Sequence, residues 1–333
     1  MEEDLSDNLS SFWHERPVLV TGCTGLLGSW LTQALLDAGA DVVGLIRDVV
    51  PQSNLVYSGT ISKIRVVRGD VTDYALMERL LNEYEIDAVF HLAAQTIVGI
   101  ANRAPLSTFE ANIKGTWITL EAARRSPTVK RVLVASSDKA YGTQPVLPYT
   151  EEMPLQGQHP YDVSKSAADL IAQTYATTYG APVAVTRCAN LYGGGDLNWN
   201  RLIPGTIRSA LQGERPIIRS DGTFVRDYLY VRDAVRAYMM LAEALTRPEL
   251  QGQAFNCGTD EPMSVLDMTQ LILSLSPHPD LKPVVLDEVK NEIKDQYLDS
   301  HKIKTLIGWT PSYTREAALK ETLAWYAQYL GIQ

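Results

Sequence analysis

The feature that most constrains the fold is an alternation of buried-strand and helical patterns over the first 190 residues. Runs rich in β-branched residues, such as PVLV at 17–20 and DVVGLI at 41–46, alternate with amphipathic stretches such as YALMERLLNEY at 74–84. Such alternation is typical of right-handed crossover connections, which give a parallel sheet with helices on both faces. We therefore predict an α/β fold built on a doubly wound parallel sheet.

The pattern changes beyond about residue 190, where proline, glycine and charged residues become frequent and strand-like runs are short. Two amphipathic helices are predicted there, at 264–275 and 315–330. We interpret this region as a smaller mixed α/β lobe. The expected division is a first domain over residues 15–190 and a second lobe over residues 191–333, with an approximate boundary and interleaved segments.

Charge and cysteine usage exclude several classes of function. The 333-residue chain has a net charge of −9, a pI near 5.1 and no prominent Lys/Arg cluster, so we expect it to bind neither nucleic acid nor a membrane. No apolar run could cross a bilayer, and the acidic N-terminal stretch lacks the apolar segment of a secretory signal. The distant cysteines Cys23, Cys188 and Cys257 fit reduced thiols rather than disulfides or a metal site. The expected compartment is the cytoplasm.

A glycine-rich turn, TGCTGLLG at 21–28, follows the first predicted strand and precedes a helix. Gly22, Gly25 and Gly28 would let the backbone approach a pyrophosphate, which would rest on the positive N-terminus of that helix. A plain β–α turn is the alternative. The strand before, the helix after and the sheet pattern around them favour dinucleotide binding.

The end of the second predicted strand, GLIRD at 44–48, does not decide between NAD and NADP. A carboxylate there favours the ribose of NAD, whereas Arg47 would favour the 2′-phosphate of NADP. Both Arg47 and Asp48 could equally be solvated loop charges. Asp70 ends the third strand and is either an acceptor for the adenine amino group or a helix N-cap.

Tyr161 and Lys165 in YDVSK lie four residues apart, on one face of a predicted helix. A phenol with a pKa of about 10 needs nearby positive charge to act as a base at neutral pH. A surface Tyr beside a surface Lys is the alternative, and the pair alone is a weak signal. Ser137, at the end of the preceding strand, strengthens this signal because its hydroxyl could also hydrogen-bond the substrate hydroxyl.

Six motifs together resemble the extended short-chain dehydrogenases/reductases: TGCTGLLG, HLAAQ, ANIKGT, SSDKAYG, YDVSK and ANLYGGGD. The resemblance runs from about residue 15 to the C-terminus. It implies a Rossmann-type domain, a C-terminal lobe for a sugar nucleotide, and a catalytic triad of Ser137, Tyr161 and Lys165. It implies NAD as cofactor, with NADP possible because of Arg47, and suggests that Asn112 supports Lys165 through water. The residues expected to line the cofactor are Gly22, Thr24, Gly25, Leu26, Leu27, Gly28, Arg47, Asp70, Val71, Leu92, Ala93, Ala94, Gln95, Asn112, Tyr161 and Lys165.

Asp138 and Lys139 follow Ser137 directly. Within the resembled family, 4-epimerases usually have small or apolar residues there, whereas 4,6-dehydratases have an acid/base pair, and CDP-glucose 4,6-dehydratases have Asp–Lys. Oxidation at C4 makes the C5 proton acidic, water is then lost across C5–C6, and hydride returns to C6. By resemblance, Asp138 would protonate the departing O6 and Lys139 would take the C5 proton once its surroundings favour the neutral amine. A salt bridge or a solvated loop is the alternative for the pair.

Two departures from the CDP-glucose subgroup keep alternatives open. The segment between Lys139 and Tyr161 is shorter than in that subgroup, and FVRDYLYV at 224–231 looks more like epimerases and GDP-mannose dehydratases. An NDP-sugar 4-epimerase is therefore the second hypothesis. A non-enzymatic dinucleotide sensor is the third, and the presence of Ser137 with Tyr161 and Lys165 argues against it.

The resemblance also suggests substrate contacts in the second lobe. Asn190 and Arg226 match positions near the substrate diphosphate, Tyr297 matches a position in the nucleotide pocket, and Arg201 is a weaker candidate. Each of these four side chains could instead form a structural hydrogen bond or lie on the surface as a charge. By analogy with the family we predict a homodimer, formed by helices at about 105–125 and 160–179.

Overall fold

The computed structural model describes residues 11–288 and 293–332, and its centre is a seven-stranded parallel sheet in the order β11-β6-β5-β4-β1-β2-β3. The strands are β1 (Pro17–Thr21), β2 (Asp41–Ile46), β3 (Arg65–Arg68), β4 (Ala88–His91), β5 (Arg131–Ala135), β6 (Val183–Cys188), β7 (Asn190–Tyr192), β8 (Ile217–Ile218), β9 (Val225–Arg226), β10 (Tyr228–Tyr230), β11 (Ala254–Cys257), β12 (Met263–Ser264), β13 (Val284–Val285) and β14 (Asp295–Gln296).

Helices cover both faces of this sheet. They are α1 (Leu26–Asp37), α2 (Asn54–Tyr57), α3 (Tyr74–Glu83), α4 (Val98–Arg103), α5 (Pro105–Phe109), α6 (Gly115–Arg125), α7 (Pro160–Tyr179), α8 (Leu202–Leu211), α9 (Val231–Ala244), α10 (Val265–Leu275), α11 (His301–Ile307) and α12 (Arg315–Leu330). Helices α1 and α9 pack together over one face, and α3, α6 and α7 pack over the other. The predicted doubly wound, Rossmann-type sheet is confirmed.

The central strands read as continuous apolar runs because both of their faces are covered. Successive side chains of a strand point to opposite faces, so Val89 and Phe90 of β4 enter different cores. Val132 and Leu133 of β5 divide in the same way. Burial on both sides places the ends of these strands rigidly, and the side chains that follow them form the site.

In the part of the region beyond residue 190 that the structure describes, three small sheets surround a third core, with β7 pairing β10, β9 lying between β12 and β14, and β8 pairing β13. It also supplies β11 to the edge of the main sheet and α9 to one of its faces. Segments of the two predicted parts of the chain are thus interleaved in space. The division at residue 190 itself stays a prediction.

The helix that the sequence predicts at about 105–125 contains a π-helical turn at Glu110–Lys114, between α5 and α6. A π turn inserts an extra residue into the helical ladder and is frequent at functional sites. Here it carries Asn112, whose side chain is buried. Within residues 11–288 and 293–332, no helix has the length and apolar character required to span a membrane.

Candidate active site

The carboxyl ends of β1 to β5 meet along one edge of the sheet, which is where ligands bind in doubly wound folds. The glycine-rich turn follows β1, Arg47 follows β2, and Asp70 and Val71 follow β3. Residues 92–95 follow β4, and residues 137–139 follow β5. The candidates for the cofactor site therefore surround one crevice, although they are spread over more than a hundred residues of sequence.

The turn after β1 can hold a pyrophosphate. Gly22 has φ +71°, and a Cβ there would lie 2.8 Å from the backbone nitrogen of Ala93. A Cβ at Gly28 would lie 2.2 Å from the carbonyl oxygen of Gly22. Gly25 is the N-cap of α1 and provides no side-chain cap, which leaves the first amides of the helix for an anion. The tight turn and the uncapped helix end fit the pyrophosphate of NAD, with Thr24, Leu26 and Leu27 completing the loop.

At the end of β2, the Arg47 guanidinium lies between two carboxylates. Its Nε donates to Asp48 at 2.7 Å, and its Nη1 is 3.8 Å from Asp70 Oδ2. The other oxygen of Asp70 accepts from the backbone and hydroxyl of Thr72, whereas the N-cap of α3 is Asp73. The interpretation of Asp70 as a helix N-cap is therefore wrong. Two carboxylates beside a single guanidinium fit ribose hydroxyls better than a 2′-phosphate.

Asn112 fixes the segment after β4. Its Oδ1 accepts from the backbone nitrogen of Gln95 at 2.7 Å, and its Nδ2 donates to the Gln95 carbonyl and, at 2.8 Å, to Ser164 Oγ. Ser164 precedes Lys165 on α7, so Asn112 ties the cofactor loop to the helix that carries the predicted catalytic pair. The loop itself, from Leu92 through Ala93 and Ala94 to Gln95, faces the crevice.

His91, which sequence reasoning did not single out, ends β4 beneath this loop. Its ring nitrogens lie 3.1 Å from Thr21 Oγ1 and 3.0 Å from Thr116 Oγ1. Burial lowers the pKa of His91 to about 3, and the charge of Lys165 acts in the same direction. A neutral, fully bonded histidine positions the strand ends and takes no part in proton transfer at neutral pH.

Ser137 and Tyr161 come together as the sequence predicts. Tyr161 is the second residue of α7, which Pro160 starts, and burial raises the pKa of its phenol to about 12. A hydrogen bond with Ser137 offsets part of this rise. Burial outweighs the lowering by positive charge, which comes from Arg201 rather than from Lys165. The oxidised nicotinamide ring would add a cation that favours the phenolate.

Lys165 is buried beside the end of β5. Its Nζ donates to the carbonyl oxygen of Ala135 at 2.7 Å, two residues before Ser137. Burial lowers the pKa of Lys165 to about 8, although Cys188 and Asp169 act in the opposite direction. The amine is therefore held at the strand end, one helical turn below Tyr161.

Asp138 and Lys139 do not form a solvated loop. Asp138 is buried, and its Oδ1 accepts a hydrogen bond of 2.9 Å from Ser137 Oγ. Burial raises the pKa of Asp138, and the nearby Lys139 and Ser137 offset part of the rise. A buried carboxyl with a raised pKa is a better proton donor candidate than an ordinary, exposed one.

Lys139 has two neighbours that sequence reasoning missed. Its Nζ donates to Gln296 Oε1 at 3.3 Å. Its charge also acts on Asp162, a buried carboxyl whose pKa burial raises. Asp162 stands inside the YDVSK motif, so its place in the motif was the available signal. Gln296 stands 157 residues beyond Lys139, and no local pattern marks it.

The predicted substrate residues lie on strands and a helix start of the second lobe. Asn190 opens β7, and its Nδ2 is buried without a partner among the described residues. Arg226, in β9, donates to the carbonyls of residues 225, 293 and 294. Arg201 pairs with Asp196 at 2.8 Å, and Tyr297 directly follows β14.

The raised pKa of Asp227, next to Arg226, leads us to expect that the stability of the fold depends on pH. Burial raises the pKa of Asp227 from 3.8 to about 6. The hydroxyl and the backbone amide of Thr259 donate hydrogen bonds to the carboxylate, and these bonds act against the rise. The folded state therefore binds its proton more tightly than the unfolded state does. This stabilisation is complete below pH 4 and is lost as the pH rises through 6, a change of about 3 kcal/mol.

Asp227→Asn is thus expected to reduce the fall in the free energy of unfolding between pH 4 and pH 7, measured by denaturant titration. Asp221→Asn is the control, because Asp221 is an exposed carboxylate whose pKa is lowered by bonds to Thr223. The stabilisation from Asp221 is lost as the pH falls, so its removal must not flatten the same slope. An unchanged slope in Asp227→Asn would contradict the assignment.

Comparison with known proteins agrees with this geometry. A profile of the NAD dependent epimerase/dehydratase family matches residues 18–258. A dTDP-glucose 4,6-dehydratase from Xanthomonas campestris pv. campestris is 32% identical over 92% of this chain and 92% of its own length. A CDP-glucose 4,6-dehydratase from Salmonella typhimurium is 28% identical over 96% of this chain and 93% of its own length.

A solved structure shows the same similarity in three dimensions. The UDP-glucose 4-epimerase from Thermotoga maritima, crystallised with UDP-glucose, matches with a TM-score of 0.85 at 28% identity, covering 94% of this chain and 99% of the epimerase. The family profile alone spans well over half of the chain. The family predicted from the six motifs is therefore confirmed: this chain belongs to the NAD dependent epimerase/dehydratase family, whose members are NAD-dependent enzymes.

Proposed function

We propose that the protein is a nucleotide-sugar 4,6-dehydratase. The observation that carries the proposal is the Asp138–Lys139 pair, which follows Ser137 and comprises a buried carboxyl with a raised pKa and an amine held by Gln296. Epimerisation at C4 needs neither group. Elimination of water across C5–C6 needs both an acid near O6 and a base near C5.

In the proposed reaction, Tyr161 removes the proton of the C4 hydroxyl, and Ser137 hydrogen-bonds the same hydroxyl. The cofactor supplies one function when bound, which is to accept hydride from C4 and return it at C6. Lys165, one turn below Tyr161, stabilises the phenolate by its positive charge. The glycine turn, Arg47 with Asp48, and the Asn112-anchored loop hold the cofactor.

The hydrogen bonds around Ser137 also indicate how the proton released by the C4 hydroxyl can replace the one that O6 consumes. The C4 hydroxyl releases one proton to Tyr161, and the departing O6 consumes one. Once Tyr161 holds that proton, its hydroxyl can donate to the neighbouring Ser137 Oγ, which itself donates to Asp138 at 2.9 Å. Ser137 can then relay a proton to the acid. Lys139 takes the C5 proton and gives it back when hydride arrives at C6. Water is then the only product besides the 4-keto-6-deoxy sugar.

We favour CDP-glucose as the substrate, because Asp–Lys after the serine resembles the CDP-glucose subgroup. The buried Nδ2 of Asn190 would face the diphosphate. Arg226 would add positive charge nearby, although its guanidinium already donates to backbone carbonyls. Tyr297 would lie in the nucleotide pocket, and Arg201 lies near Tyr161, on whose pKa its charge acts. The relative with 32% identity uses dTDP-glucose by name, so the choice of nucleotide is the first property to test.

The test is mass spectrometry after incubation with CDP-glucose, dTDP-glucose, UDP-glucose and GDP-mannose in parallel. A product lighter by one water in one reaction supports the dehydratase and identifies its nucleotide. An unchanged mass with a new C4 epimer on chromatography would overturn the proposal in favour of a 4-epimerase. That second function is favoured by the match to the Thermotoga maritima epimerase.

We further propose a homodimer formed by α5, α6 and α7. Three large apolar side chains on these helices are exposed, with Leu106 at 75%, Trp117 at 41% and Leu170 at 54% of their surface. Neighbouring helices with exposed apolar residues fit an isologous contact with a second copy.

We expect sedimentation velocity at micromolar concentration to show a dimer, and Leu170→Glu to convert it to a monomer, because the charge would be buried in the contact. Leu306→Glu, on the distant α11, is the control and should leave the dimer intact. A wild-type monomer, or a dimer that survives Leu170→Glu, would refute this interface.

A further inference from the structure

We propose that Gln296 is a positioning residue for Lys139 that also binds the sugar nucleotide. In this proposal its Oε1 holds the Lys139 amine, and its Nε2 donates a hydrogen bond to an oxygen of the bound substrate. The inference rests on the proposed function, because it takes Lys139 as the base at C5.

Gln296 is rigidly held. Its backbone belongs to β14, where it is the register partner of Arg226 in β9. The residues directly after β14 pair with Tyr149, whose amide donates to the carbonyl of Tyr297 and whose carbonyl accepts from the amide of Asp299. The side chain of Gln296 is 0% exposed. The backbone at Gln296 and the backbone just after it are therefore both held by hydrogen bonds, which restricts where the buried amide can lie.

The two ends of the amide have different partners. Oε1 accepts from Lys139 Nζ at 3.3 Å, and Nε2 is buried without a hydrogen-bond partner among the described residues. The hydrogen bond to Lys139 uses the carbonyl end of the amide, so the amino end points away from the lysine. A buried donor without an acceptor destabilises the fold, so such groups in native proteins call for a partner.

The residues around Gln296 indicate what kind of molecule accepts the hydrogen bond from its Nε2. Gln296 connects Lys139, which follows the proposed catalytic serine, to β9, which carries the arginine proposed to bind the diphosphate. Asn190 provides a second buried amide donor without a partner, and its own amide bonds the carbonyl of Asp227, next to Arg226. Two unpaired donors beside the same short segment suit a ligand rich in acceptor oxygens, as a hexosyl diphosphate is.

The hydrogen bond to Lys139 also has a catalytic consequence. A hydrogen bond from an ammonium is stronger than one from a neutral amine. The Gln296 carbonyl therefore stabilises Lys139 more after it has taken the C5 proton than before. Stabilisation that grows during the step accelerates that step.

The experiment compares Gln296→Met and Gln296→Glu with the wild type by three readouts: formation of the dehydrated product, its KM, and the build-up of reduced nicotinamide at 340 nm in a single turnover. Gln296→Met should slow water loss by about 10–100-fold and raise KM. Reduced nicotinamide should still form and should persist, because oxidation at C4 does not use Gln296.

Gln296→Glu keeps the acceptor but adds a negative charge that favours the ammonium form of Lys139. Its water loss should therefore be slow at neutral pH and recover as the pH rises, whereas Gln296→Met should show no such recovery. The matched control is Gln253→Met, which removes an exposed bond of 2.8 Å from Lys302 and should change none of the readouts.

Wild-type rates and KM in both Gln296 variants would overturn the inference while leaving the dehydratase standing. An equal loss of nicotinamide reduction and water loss, with no pH recovery in Gln296→Glu, would assign Gln296 a purely structural role. If the wild type removes no water from any sugar nucleotide, the proposed function fails and this inference fails with it.

Discussion

Replacing Tyr161 with Phe is expected to lower turnover by about 10²–10⁴-fold, which is the usual contribution of a positioned general base. The phenol is buried, hydrogen-bonded with Ser137 and carried at the start of α7. Both the dehydratase and the epimerase reactions begin with removal of the C4 hydroxyl proton. The substitution should therefore abolish either activity, measured as product formation and as reduced nicotinamide at 340 nm.

Tyr179→Phe is the control for this experiment. Tyr179 ends the same helix, is 56% exposed and lies far from the crevice along α7, so its hydroxyl should be dispensable. The loss in Tyr161→Phe should appear in kcat with little change in substrate KM, because the ring that lines the site remains. Turnover within a few-fold of wild type would exclude Tyr161 as the base.

Replacing Lys139 with Met is expected to separate the two halves of the reaction. Water loss should fall by about 10²–10⁴-fold, since the C5 proton would have no base. Oxidation at C4 should continue, because Tyr161, Lys165 and Ser137 are untouched. The readouts are mass spectrometry for dehydration and absorbance at 340 nm for reduced nicotinamide, which should accumulate.

Lys302→Met provides the matched control, because Lys302 also donates to a glutamine carbonyl but lies outside the crevice. It should behave as the wild type does. Full dehydration by Lys139→Met would mean that another group takes the C5 proton. Loss of both dehydration and nicotinamide reduction would instead show that Lys139 supports binding or folding.

The parts of the site that the sequence predicts are those in which the chemistry is local. The turn at 21–28 places its glycines within eight residues, and Tyr161 and Lys165 are one helical turn apart. Each pattern carries its own geometry, so the glycine turn and the proposed catalytic pair could be predicted without a tertiary structure. Ser137 joins them because a parallel sheet brings strand ends to one edge.

Other predictions depended on distances that sequence spacing does not contain. The helix that follows Asp70 begins three residues later than an N-cap at Asp70 requires, and Asp73 is its cap. The predicted long helix at about 105–125 contains a π turn, and the residue that this turn carries, Asn112, bonds both Gln95 and Ser164. The pKa of Tyr161 rises because of burial, a quantity that depends on the whole fold.

By itself, the sequence determined the doubly wound α/β fold and the family, and it predicted the cofactor turn and the Ser–Tyr–Lys and Asp–Lys groups that we propose as catalytic. The tertiary structure decided the protonation tendencies and the partners of those groups. Burial raises the pKa of Asp138, and Lys139 is held by Gln296, 157 residues away. Burial and long-range contacts are properties of the packed chain, so no local pattern can specify them.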